Sequence, residues 1–253
     1  MKNVLKKSKD FISEKLKNSF LGNIIHPRII RRIHAQEVLL KQMIKNSTNL
    51  DFQGQVDQDM IAWLYFGGKK DGFYIDIGAN DGKSLSNTYI FEKLGWEGVC
   101  IEPLPDTFKE LRKNRSCDCF NVAISNMSSE SIEFIKTIDD RDGDMLSGLS
   151  NQMTEAHKKR IEKVKTEKIY VKTLTFDGLM NNYPERQYVD FMSIDVEGGE
   201  MGILKTIDFK KYKFGLITVE NNEKNKKLAG FMDEQGYEIY LDLGIDIMFI
   251  PKK

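Results

Sequence analysis

Residues 73–82 read FYIDIGANDG. The mostly apolar run Phe73–Ile77 ends in Gly78-Ala-Asn80-Asp-Gly82. A short apolar run closed by glycines is a buried strand handing the chain to a helix. Glycine at such a turn tolerates positive φ and lets backbone approach a ligand closely. The first strand–helix turn lies beside the switch point at which open α/β sheets bind ligands. The G-x-x-x-G spacing is neither the G-x-G-x-x-G of a dinucleotide fold nor a P-loop.

Outward from this turn, strand-like and helix-like stretches alternate. Residues 84–94 read as a helix, 98–102 (GVCIE) as a second strand, 106–113 as a helix and 118–124 as a third strand. Residues 188–195 (YVDFMSID) and 214–220 (FGLITVE) are two more strands. Residues 237–241 and 246–250 are joined by so short a link that they form an antiparallel hairpin. The pattern predicts a doubly wound, mostly parallel seven-stranded α/β sheet with an antiparallel C-terminal edge hairpin. Between the third strand and Tyr188, residues 131–137 look strand-like, 139–150 form a loop rich in Asp, Gly and Ser, and 151–163 read as a charged helix. A lid and a solvated connector are equally good readings of that insertion.

The chain has 253 residues, with 38 Lys and Arg balanced by 38 Asp and Glu. Residues 1–50 hold eleven basic residues against Asp10, Glu14 and Glu37, so a basic arm precedes a mildly acidic body. Residues 1–66 read as an N-terminal helical appendage and 67–253 as the main domain. In the appendage Leu5, Phe11, Ile12, Leu16 and Phe20 fall at near-helical spacing, residues 29–44 repeat the pattern, and 57–65 form a third short helix that packs on the main domain. Docking on the body or self-association is the first reading of this arm, and peripheral contact with an anionic membrane the second. Nucleic-acid binding ranks last, because neither a motif nor an aromatic platform is present. Cys100, Cys117 and Cys119 lack the paired spacing of a zinc site. With no secretory h-region and no stretch of about 18 apolar residues, a cytoplasmic location is expected, with membrane-peripheral contact as its variant.

Glu102 comes twenty residues after Gly82, at the end of the second strand, where a carboxylate suits the vicinal hydroxyls of a ribose. The runs GFYIDIGANDG, SNTYIFEKLGWEGVCIEP, NRSC, NVAIS, VDFMSIDVEGGE and ITVEN, in that order, resemble the FkbM-type methyltransferases over about residues 70–250. The resemblance implies a class I, Rossmann-like enzyme that uses S-adenosylmethionine to O-methylate sugars, glycan precursors or related small molecules. It places such an enzyme in bacterial surface-polysaccharide or natural-product biosynthesis. It implies that Asp76, Gly78, Asn80 and Ser84 line the methionine end of the cofactor and that Glu102 holds the ribose. Pro103 and Leu104 would flank the adenine, the backbone around Asn121 and Ala123 would reach its edge, and Asp195 would face the methyl group. Residues alone support Asp76, Gly78 and Glu102 but give nothing for Leu104.

Asp195-Val-Glu197-Gly-Gly-Glu200 and Glu220-Asn221-Asn222 end two further strands and should converge on one crevice. Asp195, Glu220 and Asn221 form a set of oxygen ligands for Mg²⁺ or another hard cation, similar to that of metal-dependent catechol-type O-methyltransferases. In the metal-free reading Asp195 or Glu197 is a general base. Glu200 is expected to cap a helix. His157, alone in the body, suits a base on the lid by its ordinary pKa, although a histidine in a charged helix is more often solvated. The reading from another class is a catalytically idle nucleotide-binding or assembly module on the same fold. An NAD-dependent oxidoreductase is disfavoured by the missing third glycine.

Overall fold

In the computed structural model of the protein, β1 (Phe73–Ile77) is buried along its whole length and lies between two parallel neighbours. The structure describes residues 39, 41–44, 46–48, 50–138, 146–222 and 224–253. Two compact units divide at Asp51 and Phe52. In the first, residues 41–44 and 46–48 are helical, and Thr48 Oγ1 donates to the Ile44 carbonyl at 2.7 Å. The basic helices expected before residue 39, and loop positions 139–145, lie outside the described residues.

The second unit opens with α1 (Gln58–Tyr65). Its bonds bind it to the sheet, in line with the expected packing on the main domain: Gln58 Nε2 donates to Asp246, and Tyr65 donates to the Gly215 carbonyl at 3.2 Å. After β1 come α2 (Tyr89–Lys93), β2 (Glu97–Ile101), α3 (Pro105–Asn114) and β3 (Asp118–Phe120). Pro105 opens α3, where a missing N–H costs nothing and the fixed φ suits a helix. Then come β4 (Ala123–Ile124), β5 (Ser129–Ile138), β6 (Gly148–Leu149), α4 (Glu155–Ile161), β7 (Lys165–Leu174) and α5 (Phe176–Met180). The chain closes with β8 (Tyr188–Ile194), α6 (Glu200–Leu204), β9 (Lys213–Glu220), α7 (Lys226–Glu234), β10 (Tyr237–Asp242) and β11 (Asp246–Pro251).

Seven strands form a mixed sheet in the order β10-β11-β9-β8-β1-β2-β3, with β11 antiparallel to both of its neighbours. Alternation along the strands gives its two faces different chemistry. Phe73, Ile75 and Ile77 join Val99, Ile101, Met192, Ile194, Ile217 and Val219 in the main core. Each such side chain contributes roughly 1.5–3 kcal/mol by leaving water. On the opposite face the register row Cys119–Cys100–Asp76–Ser193–Thr218 crosses five strands and is polar for most of its length.

Three local readings are corrected. The helix expected over 84–94 is only Tyr89–Lys93, because Asp81 accepts N–H bonds from Lys83 and Ser84 and holds the chain in a turn, and Leu85 comes next with a φ of 59°. The strand expected over 118–124 splits at Asn121 between two sheets. The second sheet, β4-β7-β5-β6, contains the long antiparallel pair β5–β7, of which only residues 131–137 look strand-like in sequence. Among the described residues, no helix is long and apolar enough to cross a membrane.

Candidate functional site

Three strands meet at Gly78. Its N–H and that of Ala79 both donate to the Ile101 carbonyl at 3.0 Å, and the Asp195 N–H donates to the Ile77 carbonyl at 2.9 Å. With φ at 86°, a Cβ on Gly78 would lie 1.7 Å from the Asp195 carbonyl oxygen. The close approach that only glycine permits is therefore to the end of β8. Asp76, two residues earlier, looks away into the polar face. Its Oδ2 accepts from Thr88 Oγ1 at 2.5 Å and lies 3.8 Å from the buried Arg115 guanidinium. Burial raises the pKa of Asp76, and Arg115 and Thr88 oppose the rise. Asp76 thus ties the turn after β1 to the sheet.

Glu102 is buried, with its carboxylate braced between two loops. Oε2 accepts from the Asn80 N–H at 3.1 Å and Oε1 from the Leu104 N–H at 2.8 Å. A carboxylate offers about four lone-pair sites, the acceptor chemistry that suits hydroxyl groups. Asn80 itself has a φ of 50°, and its side chain accepts from the Asp81 N–H at 2.6 Å. Asn121 Nδ2 donates to the carbonyls of Glu102 and Pro103 at 2.8 and 3.0 Å, so the third strand's end is laced to the second's. Leu104 and Ala123 are buried with Leu149 in one apolar cluster beside this turn. Ser84 is exposed, and its hydroxyl donates to Asp81 at 2.6 Å.

At the ends of β8 and β9 the carboxylates do converge. Asp195, Glu197 and Glu220 each bring an oxygen within 4.8 Å of the others. Asp195 keeps an open face to the crevice while protein crowds the rest of it. This crowding, and then the charges of Glu197, Asp246 and Glu200, push its pKa well above the usual carboxylate range. Glu220 is raised likewise, by burial first and then by Asp195. Like charges this close oppose each other's ionisation. Glu200 closes the loop, Oε1 accepting from the N–H groups of Val196 and Gly198 at 3.1 and 2.9 Å. Asp246, opposite Glu220 in register, is held by Gln58.

Asn221 lines the same crevice, its Oδ1 accepting from the Asn225 N–H at 2.7 Å and capping the loop before α7, while Glu197 joins Asp195 and Glu220 in the carboxylate cluster. The Glu197 backbone reaches that place through φ values of 57° here and 105° at Gly198. Its Oε2 lies 2.9 Å from Arg160 Nη1 and 3.6 Å from His157 Nδ1. His157 is neither solvated nor free to act as a base. It is buried, with Nε2 2.9 Å from the Leu146 carbonyl, so both ring nitrogens face acceptors. It braces Glu197. These groups, with Thr154, Asn222 and Asn225, line a cleft of about 430 Å³ between α4, α7 and the strand ends. Gly148 of the insertion lies against this rim, where an added Cβ would sit 3.5 Å from the Val196 carbonyl oxygen.

Three participants escape sequence reading. Arg115 is fully buried between the rings of Tyr74 and Tyr89, 3.3 Å from Glu92, and nothing in NRSC marks it as an interior cation. Arg160 reads as one more charge on a charged helix. Asn87 is buried with Nδ2 3.1 Å from Ser193 Oγ, while its Oδ1 has no hydrogen-bond partner among the described residues.

The profile of the methyltransferase FkbM domain matches residues 76–239. A search of curated proteins gives no match. Among solved structures the chain is similar to a TehB-like SAM-dependent methyltransferase from Corynebacterium glutamicum, at 10% identity and a TM-score of 0.41, over 88% of this chain and 100% of that one. It is similar also to a methyltransferase from Geobacter sulfurreducens, at 12% identity and 0.41, over 91% and 100%. The METTL16 MTase domain matches at 13% identity and 0.45, over 83% and 76%.

Proposed function

Because the chain belongs to the FkbM methyltransferase family, we propose that it is an S-adenosylmethionine-dependent O-methyltransferase whose acceptor is a hydroxyl of a sugar, glycan precursor or phosphorylated small molecule. The single observation that carries this reading is the convergence of Asp195, Glu197 and Glu220, whose carboxylate oxygens lie within 4.8 Å of one another at the strand ends, beside a polar cleft lined by Glu197 and Glu220.

The residues present fit the cofactor. Glu102 is a buried carboxylate whose oxygens suit a ribose, Leu104 and Ala123 offer an apolar wall, and Asn87 carries a buried oxygen without a partner. Bound S-adenosylmethionine supplies a methyl group on a sulfonium, open to in-line displacement. O-methylation releases the acceptor's hydroxyl proton, and Asp195 takes it. A carboxylate with a raised pKa is a stronger base than an ordinary one, and a positioned general base contributes about 10²–10⁴-fold. Glu220 shares the proton. Arg160 and His157 hold Glu197, and Glu200 holds the loop, so the base is not free to swing. Thr154, Asn222, Asn225 and Arg160 give the cleft donors and acceptors suited to a polyhydroxylated acceptor, with Arg160 the group that would meet a phosphate. In this reading the enzyme works in the cytoplasm on surface-polysaccharide or natural-product precursors. The basic arm of residues 1–50 serves self-association or contact with an anionic membrane.

Calorimetric titration with S-adenosylhomocysteine, with EDTA and then with Mg²⁺, tests the proposal. Micromolar binding that ignores both additions is the expected result. Dependence on Mg²⁺ would replace the base by a cation on Asp195, Glu197 and Glu220. Absence of binding under every condition would favour an idle module.

A further inference from the structure

We propose that Asn87 anchors the amino-acid end of S-adenosylmethionine, its side-chain oxygen accepting from the α-ammonium group. The inference rests on the cofactor reading above.

Asn87 is 8% exposed, and its amide is fixed at one end by the bond from Nδ2 to Ser193 Oγ. The other end, Oδ1, is buried and has no partner among the described residues. A buried acceptor left in that state is costly, so a site that keeps one is built to receive a donor. Only one other side-chain oxygen among the described residues is buried without a partner, and it lies close by. It is Thr218 Oγ1, on the strand beside Ser193 and level with it.

The position of this polar slot identifies the donor. Ser193 and Thr218 stand two residues before Asp195 and Glu220 on β8 and β9, hence on the same sheet face and about 6–7 Å deeper. A group reaching from the methyl-transfer level into the slot has the short reach of a methionine side chain. Its charge is set by the walls. Asp195, Glu197, Glu200, Glu220 and Asp246 crowd the mouth, whereas Arg160 engages Glu197 at the outer cleft. Asn87 Oδ1 can only accept, so of the two charged groups at a methionine end it takes the ammonium and not the carboxylate. An ammonium brings three donors, enough for Asn87 Oδ1 and a neighbouring oxygen together. The turn that carries Asn87 is fixed in advance. Ser86 Oγ accepts from the N–H groups of Thr88 and Tyr89 at 3.2 and 3.1 Å, and Thr88 is pinned to Asp76.

The test is a cycle of protein and ligand changes read by calorimetry. S-adenosylhomocysteine is compared with its deamino analogue, in which hydrogen replaces the α-ammonium. The wild-type protein should prefer S-adenosylhomocysteine by at least about tenfold, the span of one good charged hydrogen bond. Asn87→Ala should bring that preference close to one, mainly through weaker S-adenosylhomocysteine binding. Asn87→Asp, which can accept from the Ser193 hydroxyl in place of the lost Nδ2 donor and adds charge, should enlarge the preference, and it decides the matter if Asn87→Ala melts early. An undiminished preference in Asn87→Ala, or an equal loss for both ligands, overturns the assignment and leaves Asn87 a packing residue. A wild-type protein that binds both ligands equally also overturns it while the cofactor reading stands. One that binds neither removes the cofactor reading itself.

Discussion

Two glycines in this chain share a φ of 86°, Gly78 and Gly236, and differ only in what a side chain there would meet. At Gly236 a Cβ would find nothing within 4 Å. Gly236→Ala therefore carries only the backbone cost of a positive φ, about 1–2 kcal/mol. At Gly78 the same methyl group would lie 1.7 Å from the Asp195 carbonyl oxygen, where about 3.3 Å is the normal approach of carbon to oxygen. The neighbour is main chain and cannot rotate away, so the ends of β1 and β8 must part by about 1.5 Å. That separation strains the Asp195–Ile77 and Gly78–Ile101 hydrogen bonds, each worth about 1 kcal/mol, and adds an overpacking cost of about 1–3 kcal/mol. Gly78→Ala should then lose about 4–7 kcal/mol, a large share of the roughly 5–15 kcal/mol a native protein has to lose. Urea unfolding of both variants beside wild type measures the two costs. In thermal unfolding Gly78→Ala should melt roughly 10–25 °C lower and Gly236→Ala only a few degrees lower. Equal losses for the two, within about 1 kcal/mol, would refute the steric argument and leave Gly78 a matter of φ alone.

Asp195→Asn should abolish turnover while S-adenosylhomocysteine binds within about twofold of wild type, since a neutral isostere keeps the packing but takes up no proton; turnover within tenfold of wild type would remove Asp195 from the chemistry. Glu220→Gln takes one negative charge from beside Asp195, so the acid limb of the pH–rate profile should move to lower pH; a limb that stays or rises would show that the two carboxylates do not share a proton. Glu102→Ala should weaken S-adenosylhomocysteine by about 1.5–3 kcal/mol, and unchanged affinity would sink the ribose assignment. Asp59 has its pKa raised by burial from 3.8 to about 6, so the native state binds this proton more tightly than the unfolded chain. Stability should fall as pH climbs through that window, and Asp59→Asn should gain roughly 3 kcal/mol relative to wild type between its two ends. A pH-independent gap in urea midpoints would contradict the assignment.

The legible and illegible parts of the molecule divide along a physical line. Short apolar runs such as Phe73–Ile77 and Phe214–Val219 announce buried strands, because burial on both faces leaves no room for polar residues. β7, which is mostly exposed and has only Ile169-Tyr170-Val171 as an apolar run among charged and polar residues, carries no such mark, and its partner β5 is legible only in the middle. Asp195 and Glu220 could be assigned to one crevice because both end parallel strands, and topology alone puts such ends side by side. Glu197 joins them only through two left-handed residues, and a loop N–H turns the Asn221 side chain toward the start of α7. Both outcomes depend on backbone directions in loops, where spacing along the chain ceases to measure distance in space. Asp76 makes the same point within a strand. Its position at the end of β1 is legible, yet strand alternation turns its carboxylate toward Arg115, a residue 39 positions away that closes the layer beneath the site. The acidic residue of the turn motif thus holds the turn from the sheet face that also carries Ser193 and Thr218, and the turn in its place sets the Gly78 backbone, Asn80 against Glu102, and Asn87.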